Sequence, residues 1–176
     1  MRSAVAADAP AIAEVHVASW RAAYRGLLPE EYLDSRTVEV RTQQWNVTFA
    51  DPERGHILVA VLGDRVVGFA QVRSSGDADA PPGTGELLTI YLHPDAWDRG
   101  LGRALHDEAL QRLEADGHRS ATLWMLSTND RARRFYLRHG WSLIPGLRTQ
   151  EFGGLEVTDV RFGRSLGSET HPGETA

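Results

Sequence analysis

Cysteine is missing from this 176-residue chain, and its absence removes disulfides, thiolate nucleophiles and zinc–thiolate centres from consideration. The 7 histidines show no close pairing at metal-ligand spacing, so no metal site is expected. Long apolar runs are missing too. None approaches a membrane span, and the N-terminus lacks a signal-peptide core, so a cytoplasmic protein with no membrane partner is expected. Nor is there an excess of positive charge. Basic residues number 19 and acidic residues 24, a net charge of −5; this argues against a nucleic-acid partner and is compatible with a cationic substrate such as an amine. The P-loop pattern Gly-x-x-x-x-Gly-Lys-Ser/Thr is absent, and no repeat is visible. The length suits one domain, expected over residues 1–164, with a polar, loose tail at 165–176 whose composition already begins at Gly163.

Several alternations of strand and helix signals run along the chain. Met1 to Val5 reads as a short strand. Asp8 is a helix N-cap with Pro10 in the first turn, and Ile12, Val15 and Ser19 recur on one face of a helix ending near Gly26. Short helices follow at Glu30 to Leu33 and at Val38 to Phe49, the latter turning Val38, Trp45 and Phe49 inward. His56 to Leu62 and Arg65 to Val72 read as a hairpin about Gly63-Asp64, and Gly68 marks a bulge or a close neighbour. Ser74 to Gly85 is the longest loop. The strand from Glu86 to Leu92 stops at His93-Pro94, and Leu101, Leu105, Ala109 and Leu113 mark a helix ending at Asp116-Gly117. A strand at Arg119 to Leu126, a helix at Asn129 to Arg138, and short strands at Trp141 to Ile144 and Val157 to Phe162 complete the pattern. The order predicts an α/β (α+β) sheet of mixed direction, with a parallel crossover through the Leu101 helix.

The most informative stretch is Arg99-Gly100-Leu101-Gly102-Arg103-Ala104, a glycine-rich turn that delivers a strand into a helix. Unpaired amides and the positive end of the helix dipole meet there, which makes an anion site suited to phosphates; tight packing alone is the plainer reading. Gly100 and Gly102 allow close approach to the main chain, while Arg99 and Arg103 offer charge-assisted bonds. A dinucleotide fingerprint would need a further small residue where Leu105 stands.

These residues resemble the GCN5-related N-acetyltransferase (GNAT) family. Its strand–proline–Gln/Arg-x-x-Gly-x-Gly/Ala motif is matched by Trp97-Asp98-Arg99-Gly100-Leu101-Gly102, except that Trp97 replaces the Gln/Arg. A second family element, Asn-x-x-Ala-x-x-Phe-Tyr-x-x-x-Gly-Phe/Tyr, is similar to Asn129 through Tyr136 and on to Gly140-Trp141. The resemblance implies a mostly antiparallel sheet flanked by helices with strands 4 and 5 splayed. It also implies acetyl-CoA as cosubstrate, with diphosphate on the loop and pantetheine paired along Ile90, Tyr91 and Leu92. No metal is implied, and homodimers are common in the family.

Acetyl transfer needs a neutral amine, a stabilised carbonyl oxygen and a donor for the departing thiolate. By resemblance Tyr136 is the donor; the residues alone favour a core pair with Phe135. Glu86 is either the base, directly or through water, or a solvated charge at a strand end. The oxyanion donor is expected among backbone amides around Leu92. Asn129 is divided between the pantetheine arm and a helix N-cap, and the arginines 131, 133 and 134 between the adenosine phosphate and solvent, with Arg133 retained as a coenzyme ligand. His118 and His139 fall at element ends. Trp20, Tyr24, Tyr32 and Trp45 are candidate walls for the acceptor, and Glu30 and Glu31 could attract a cationic amine. The expected acceptor is a small-molecule amine, an aminoglycoside-like antibiotic or a polyamine. A protein N-terminus or lysine, or a non-catalytic acyl-CoA sensor, is the alternative.

Overall fold

The runs that alternate or stay apolar in sequence pair edge to edge in a computed structural model, which describes residues 1–167. β2 (His56–Leu62) and β3 (Arg65–Ser74) form the expected hairpin, flanked by the short β1 (Arg2–Ser3). β4 (Thr84–Leu92) continues the antiparallel meander, and β5 (Ser120–Leu126) joins it in parallel after α4 (Leu101–Ala115). Beyond α5 (Asp130–Arg138), β6 (Ser142–Phe152) and β7 (Leu155–Ser165) return as a second hairpin. The 7 strands lie in the order β1-β2-β3-β4-β5-β7-β6, the mixed, mostly antiparallel arrangement expected. No helix among the described residues is long and apolar enough to cross a membrane.

Each face of the sheet buries a different set of helices. Leu105, Ala109 and Leu113 of α4 pack on Leu58, Ala70, Leu87 and Leu123, the four-residue spacing of the sequence giving one apolar stripe. On the opposite face, α1 (Ala9–Tyr24) and α3 (Val38–Ala50) cover Ile57, Val59 and Phe69 with Ile12, Val15 and Trp45. Trp45 is therefore core, edge-on to Phe69 at 5.1 Å, and is not an acceptor wall. α2 (Glu30–Asp34) sets Tyr32 and Leu33 against Trp20, Phe152 and Val157.

Several expectations need correction. Asp8 precedes α1 without capping it by a side-chain bond. Its carboxylate instead takes the Val5 amide at 2.8 Å and both Arg2 nitrogens at 2.7 Å, tying β1 to the first helix. The short strand expected at Trp141 to Ile144 is longer, for β6 runs from Ser142 through Pro145-Gly146 to Phe152. The pair sits at a register shift between Ile144 and Leu147 on an edge strand, where proline is tolerated. Gly163 lies inside β7, under Ile144, and Leu166 packs against the α4 core, so the loose segment does not begin at residue 163. The remainder of the expected tail, 168–176, lies outside the described residues.

One buried histidine escaped sequence reasoning. His16 lies among the rings of Trp20, Trp45, Phe69 and Tyr91, 8% exposed, with no partner for Nδ1. Burial, aided by the charge of Arg41, pushes its pKa down to about 3. A free imidazole titrates near 6.5, so the unfolded chain takes up this proton first. Stability contributed by neutral His16 is whole above about pH 6.5 and is lost as pH falls towards 3. We expect His16→Phe to flatten the acid limb of a urea-unfolding pH profile by a few kcal/mol, on the order set by such a shift. An unchanged limb would contradict this assignment.

Candidate active site

β4 and β5 stay together for only three register pairs, Thr84 with Ser120, Gly85 with Ala121 and Glu86 with Thr122. Beyond Glu86 the strands part, and β4 continues to Leu92 with no partner on that side. A bulge accompanies the parting: Thr89 opposes Gln71 and Leu87 opposes Val72, which leaves Leu88 unopposed on β3. Nothing in the Leu87-Leu88 sequence marks a bulge, because an apolar run carries no period. The His93 amide donates to the Val67 carbonyl at 2.8 Å, so by alternation the peptide groups of Ile90 and Leu92 face the gap. The Leu92 carbonyl is already occupied, accepting from Ser19 Oγ at 2.8 Å and Trp97 Nε1 at 2.9 Å. The Leu92 amide and both groups of Ile90 remain for a ligand.

The gap opens into a cavity of about 350 Å³ between the end of β4, α5 and the start of α4. Gly100, at φ 75°, serves as N-cap of α4 without a side chain to bond the helix amides. The first bond back to Gly100 comes from Ala104, which leaves the amides of Leu101, Gly102 and Arg103 without helix partners. Trp97, Asp98, Gly100, Gly102 and Arg103 line the cavity, whereas the side chains of Arg99, Leu101 and Ala104 do not. Asp98 holds a left-handed φ of 59°, the one non-glycine to do so among the described residues.

Trp97 fills the place of the motif's Gln/Arg and does structural work, its indole pinned to the Leu92 carbonyl. Arg131 of α5 lies flat on that ring, 3.7 Å from its centroid, and comes within 4.0 Å of the Asp98 carboxylate. A guanidinium therefore stands at the loop, delivered by stacking and not by the motif position. Arg133 does not line the cavity, and its Nη2 donates to the Ser127 carbonyl at 2.8 Å. Asn129 Oδ1 caps α5 by accepting from the Ala132 amide at 3.0 Å, and the residue also lines the cavity.

Tyr136 faces the cavity from the middle of α5. Burial holds its phenol protonated, raising its pKa, with nearby Tyr24 adding to the shift. The Tyr24 and Tyr91 hydroxyls meet at 3.0 Å on the opposite wall, and burial raises both. Of the expected acceptor walls, Tyr24 reaches the cavity. Trp20 and Tyr32 stack behind it with Phe152, and Glu30 lies exposed at the start of α2. Glu86 is no solvated charge. It is 7% exposed, just before the strands part, with Arg73 Nε 3.9 Å away. Desolvation raises its pKa, partly offset by Arg73. His139 spends Nδ1 on the Phe135 carbonyl at 2.7 Å, and His118 approaches Ser74 at 3.4 Å, so both stand apart from the gap. His106, unnoticed in sequence, is buried where Nε2 accepts from Trp141 at 2.8 Å, bracing α4 against the chain between α5 and β6.

Comparison with known proteins fits this geometry. The sequence profile of the Acetyltransferase (GNAT) family matches residues 15–141. The uncharacterized N-acetyltransferase YuaI of Bacillus subtilis is 31% identical over 135 residues, 73% of this chain and 72% of that one. An uncharacterized N-acetyltransferase of Mycobacterium tuberculosis is 29% identical over 157 residues, 89% and 86% of the two chains. The crystal structure of PaiA N-acetyltransferase from Thermoplasma acidophilum, in complex with coenzyme A, superposes with a TM-score of 0.73 at 21% identity, covering 94% of this chain and 97% of that one. The chain belongs to the GNAT family and is an acetyl-CoA-dependent acyltransferase.

Gly68 of β3 lets the ligand strand lie where it does. A Cβ there would meet Leu92 Cδ2 at 2.3 Å and the Tyr91 carbonyl oxygen at 3.0 Å. Gly68→Ala is expected to displace Leu92 from the wall of the gap and cost about 1–3 kcal/mol, as overpacking does, read as a lowered urea midpoint. Stability equal to wild type would show that β4 yields freely.

Proposed function

We propose that the chain moves the acetyl group of acetyl-CoA to the primary amine of a small molecule, directly, within a ternary complex. The observation that carries this reading is the parting of β4 from β5 after Glu86, which opens one space to the loop amides, the Ile90 and Leu92 peptide groups and Tyr136 at once. In this reading the amides of residues 101–103 and the dipole of α4 hold the diphosphate. Arg131 supplies the side-chain charge that Trp97 lacks, and the pantetheine amides extend β4 like an added strand. The chain has no cysteine, so transfer involves no thiol acyl-enzyme.

Chemistry follows from the burial of the two ionisable groups. A carboxylate with a raised pKa, such as Glu86, is the stronger proton acceptor and draws the ammonium proton through water. Amine attack then places negative charge on the thioester oxygen, which the exposed amides at the β4 bulge and Leu92 stabilise. The departing thiolate is met by the Tyr136 hydroxyl. Because burial strengthens that phenol's hold on its proton, its first contribution is a hydrogen bond to sulfur; the proton passes to the thiolate as it forms, and the tyrosyl oxygen regains one from the newly acylated nitrogen.

Two substitutions separate these roles. Tyr136→Phe should lower kcat by about ten- to a thousandfold while calorimetric acetyl-CoA affinity stays within a factor of about two; unchanged turnover removes Tyr136 from the mechanism. Arg131→Ala should weaken acetyl-CoA binding about tenfold, and flatten its dependence on salt, with little change in kcat at saturation. Binding as tight as wild type would assign the phosphates to the loop amides alone. Absence of any heat with acetyl-CoA would overturn the reading itself.

A further inference from the structure

Trp124, a residue that no sequence signal singled out, is held in place by three distant segments. Its Nε1 donates to both carboxylate oxygens of Asp77, in the connection between β3 and β4, at 3.1 Å. The guanidinium groups of Arg148 on β6 and Arg161 on β7 lie 4.8 and 5.4 Å from the ring centre. Gly146 sits against the benzene edge, where a Cβ would come to 3.0 Å from Trp124 Cη2 and 2.7 Å from Arg161 Nε. An indole bonded at its nitrogen and confined at its other edge keeps one orientation. The residue also lines the cavity.

That cavity runs through the sheet. Ile90, Ala132 and Tyr136 line it on the side of α4 and α5. Trp124 belongs to the other side. Glu86 and Thr122 form the last register pair, and Trp124 follows two residues later, so it shares the Glu86 face. Arg73 and Phe69 of β3 lie on that face too, which α1 and α3 cover. Trp124 and the end of α1, with Ala23 and Tyr24, therefore enclose the half of the cavity away from the coenzyme loop. Polar groups in this half are committed within the protein. Ser19, 1% exposed, directs its hydroxyl to the Val15 and Leu92 carbonyls, the Tyr24 and Tyr91 hydroxyls bond each other, and the indole N–H is taken. Thr89 Oγ1, which has no partner, is closed off from solvent. Charges beyond Trp124 pair as Arg161 with Asp77 and Asp79, and Arg148 with Asp159. What remains is two aromatic walls, one spare phenol proton and the Glu86 carboxylate. An acceptor with several ammonium or hydroxyl groups would bury them there without partners, each at a cost in free energy. An amine whose one polar group is the reacting nitrogen avoids that cost, and its body gains by covering both rings.

We infer that the acceptor is a monoamine with an apolar body, aryl or alkyl, seated between Tyr24 and Trp124 while its nitrogen reaches the gap beside Glu86. Asp77 is a positioning residue for the Trp124 wall. The inference rests on the transferase reading and narrows it. Its test is thiol release from acetyl-CoA with phenethylamine and hexylamine, set against putrescine, spermidine and kanamycin. The apolar amines should have the higher kcat/KM by about tenfold or more, the scale of burying a few methylenes. Trp124→Ala should raise the KM of the better apolar amine about tenfold, with kcat within about twofold and calorimetric acetyl-CoA affinity intact. Asp77→Ala should raise the same KM about threefold, whereas Asp77→Asn, whose side-chain oxygen still accepts from the indole, should restore it. If Trp124→Ala fails to fold, Trp124→Phe, which keeps a ring but loses its anchor, should show a rise of about threefold. Preference for the polyamines or kanamycin, equal use of both sets, or no turnover of either would overturn the inference. So would an unaltered amine KM in the Trp124 variants, or a loss that falls on acetyl-CoA instead. In each case acetyl-CoA binding by the wild-type protein would leave the transferase reading standing, and its absence would end both.

Discussion

Three hydrogen-bonded register pairs join β4 to β5, and the chemistry of the molecule follows from where they stop. A parallel strand pair normally runs on until one strand ends, since every unpaired peptide group in an interior costs free energy. Here β4 keeps going while β5 turns away, and the resulting row of unpaired groups is the binding surface. The bulge at Leu88, the close approach of Gly68 to Leu92, and the landing of α5 across the gap all serve that one separation. The Trp97 indole and the Ser19 hydroxyl close it at the far end by taking the Leu92 carbonyl. They leave the strand no freedom to slide back into the sheet.

Most of the architecture was legible because it rests on local signals. The four-residue spacing of Leu101, Leu105, Ala109 and Leu113 fixed α4 and its buried stripe, and Gly63-Asp64 fixed the first hairpin. The glycine turn marked a candidate anion site, and Asn129 and Tyr136 entered as candidates through the family resemblance. What stayed hidden depends on contacts between distant segments. The splay beyond Glu86 has no local signature and was expected only through the family resemblance, and the side chain that stands at the loop beside Trp97 is Arg131, which the motif position does not encode. The strand read at Trp141 to Ile144 fell short of β6, since propensity does not anticipate an edge position where Pro145 and Gly146 are harmless. Aromatic residues divided in a way that spacing could not foresee: Trp45 went to the core, Tyr24 to the cavity, and Trp20 and Tyr32 to the layer between.

Charge is distributed with similar economy. Glu86 sits where desolvation raises its proton affinity and Arg73 limits the rise. Arg161 is paired with Asp77 and Asp79, and Arg148 with Asp159, which settles the β6–β7 side of the sheet.

The kink at Pro145-Gly146 has a consequence beyond the sheet's own geometry. β6 is an outermost strand, from Ser142 to Phe152, carrying Leu143 and Leu147 in solvent. Left straight, such a border would be a template on which further copies could stack into fibrils. Proline removes one donor from the row, and the register shift beside it breaks the border into two short halves. The irregularity that disguised this strand in the sequence thereby keeps a crowded solution of the protein from seeding its own aggregation.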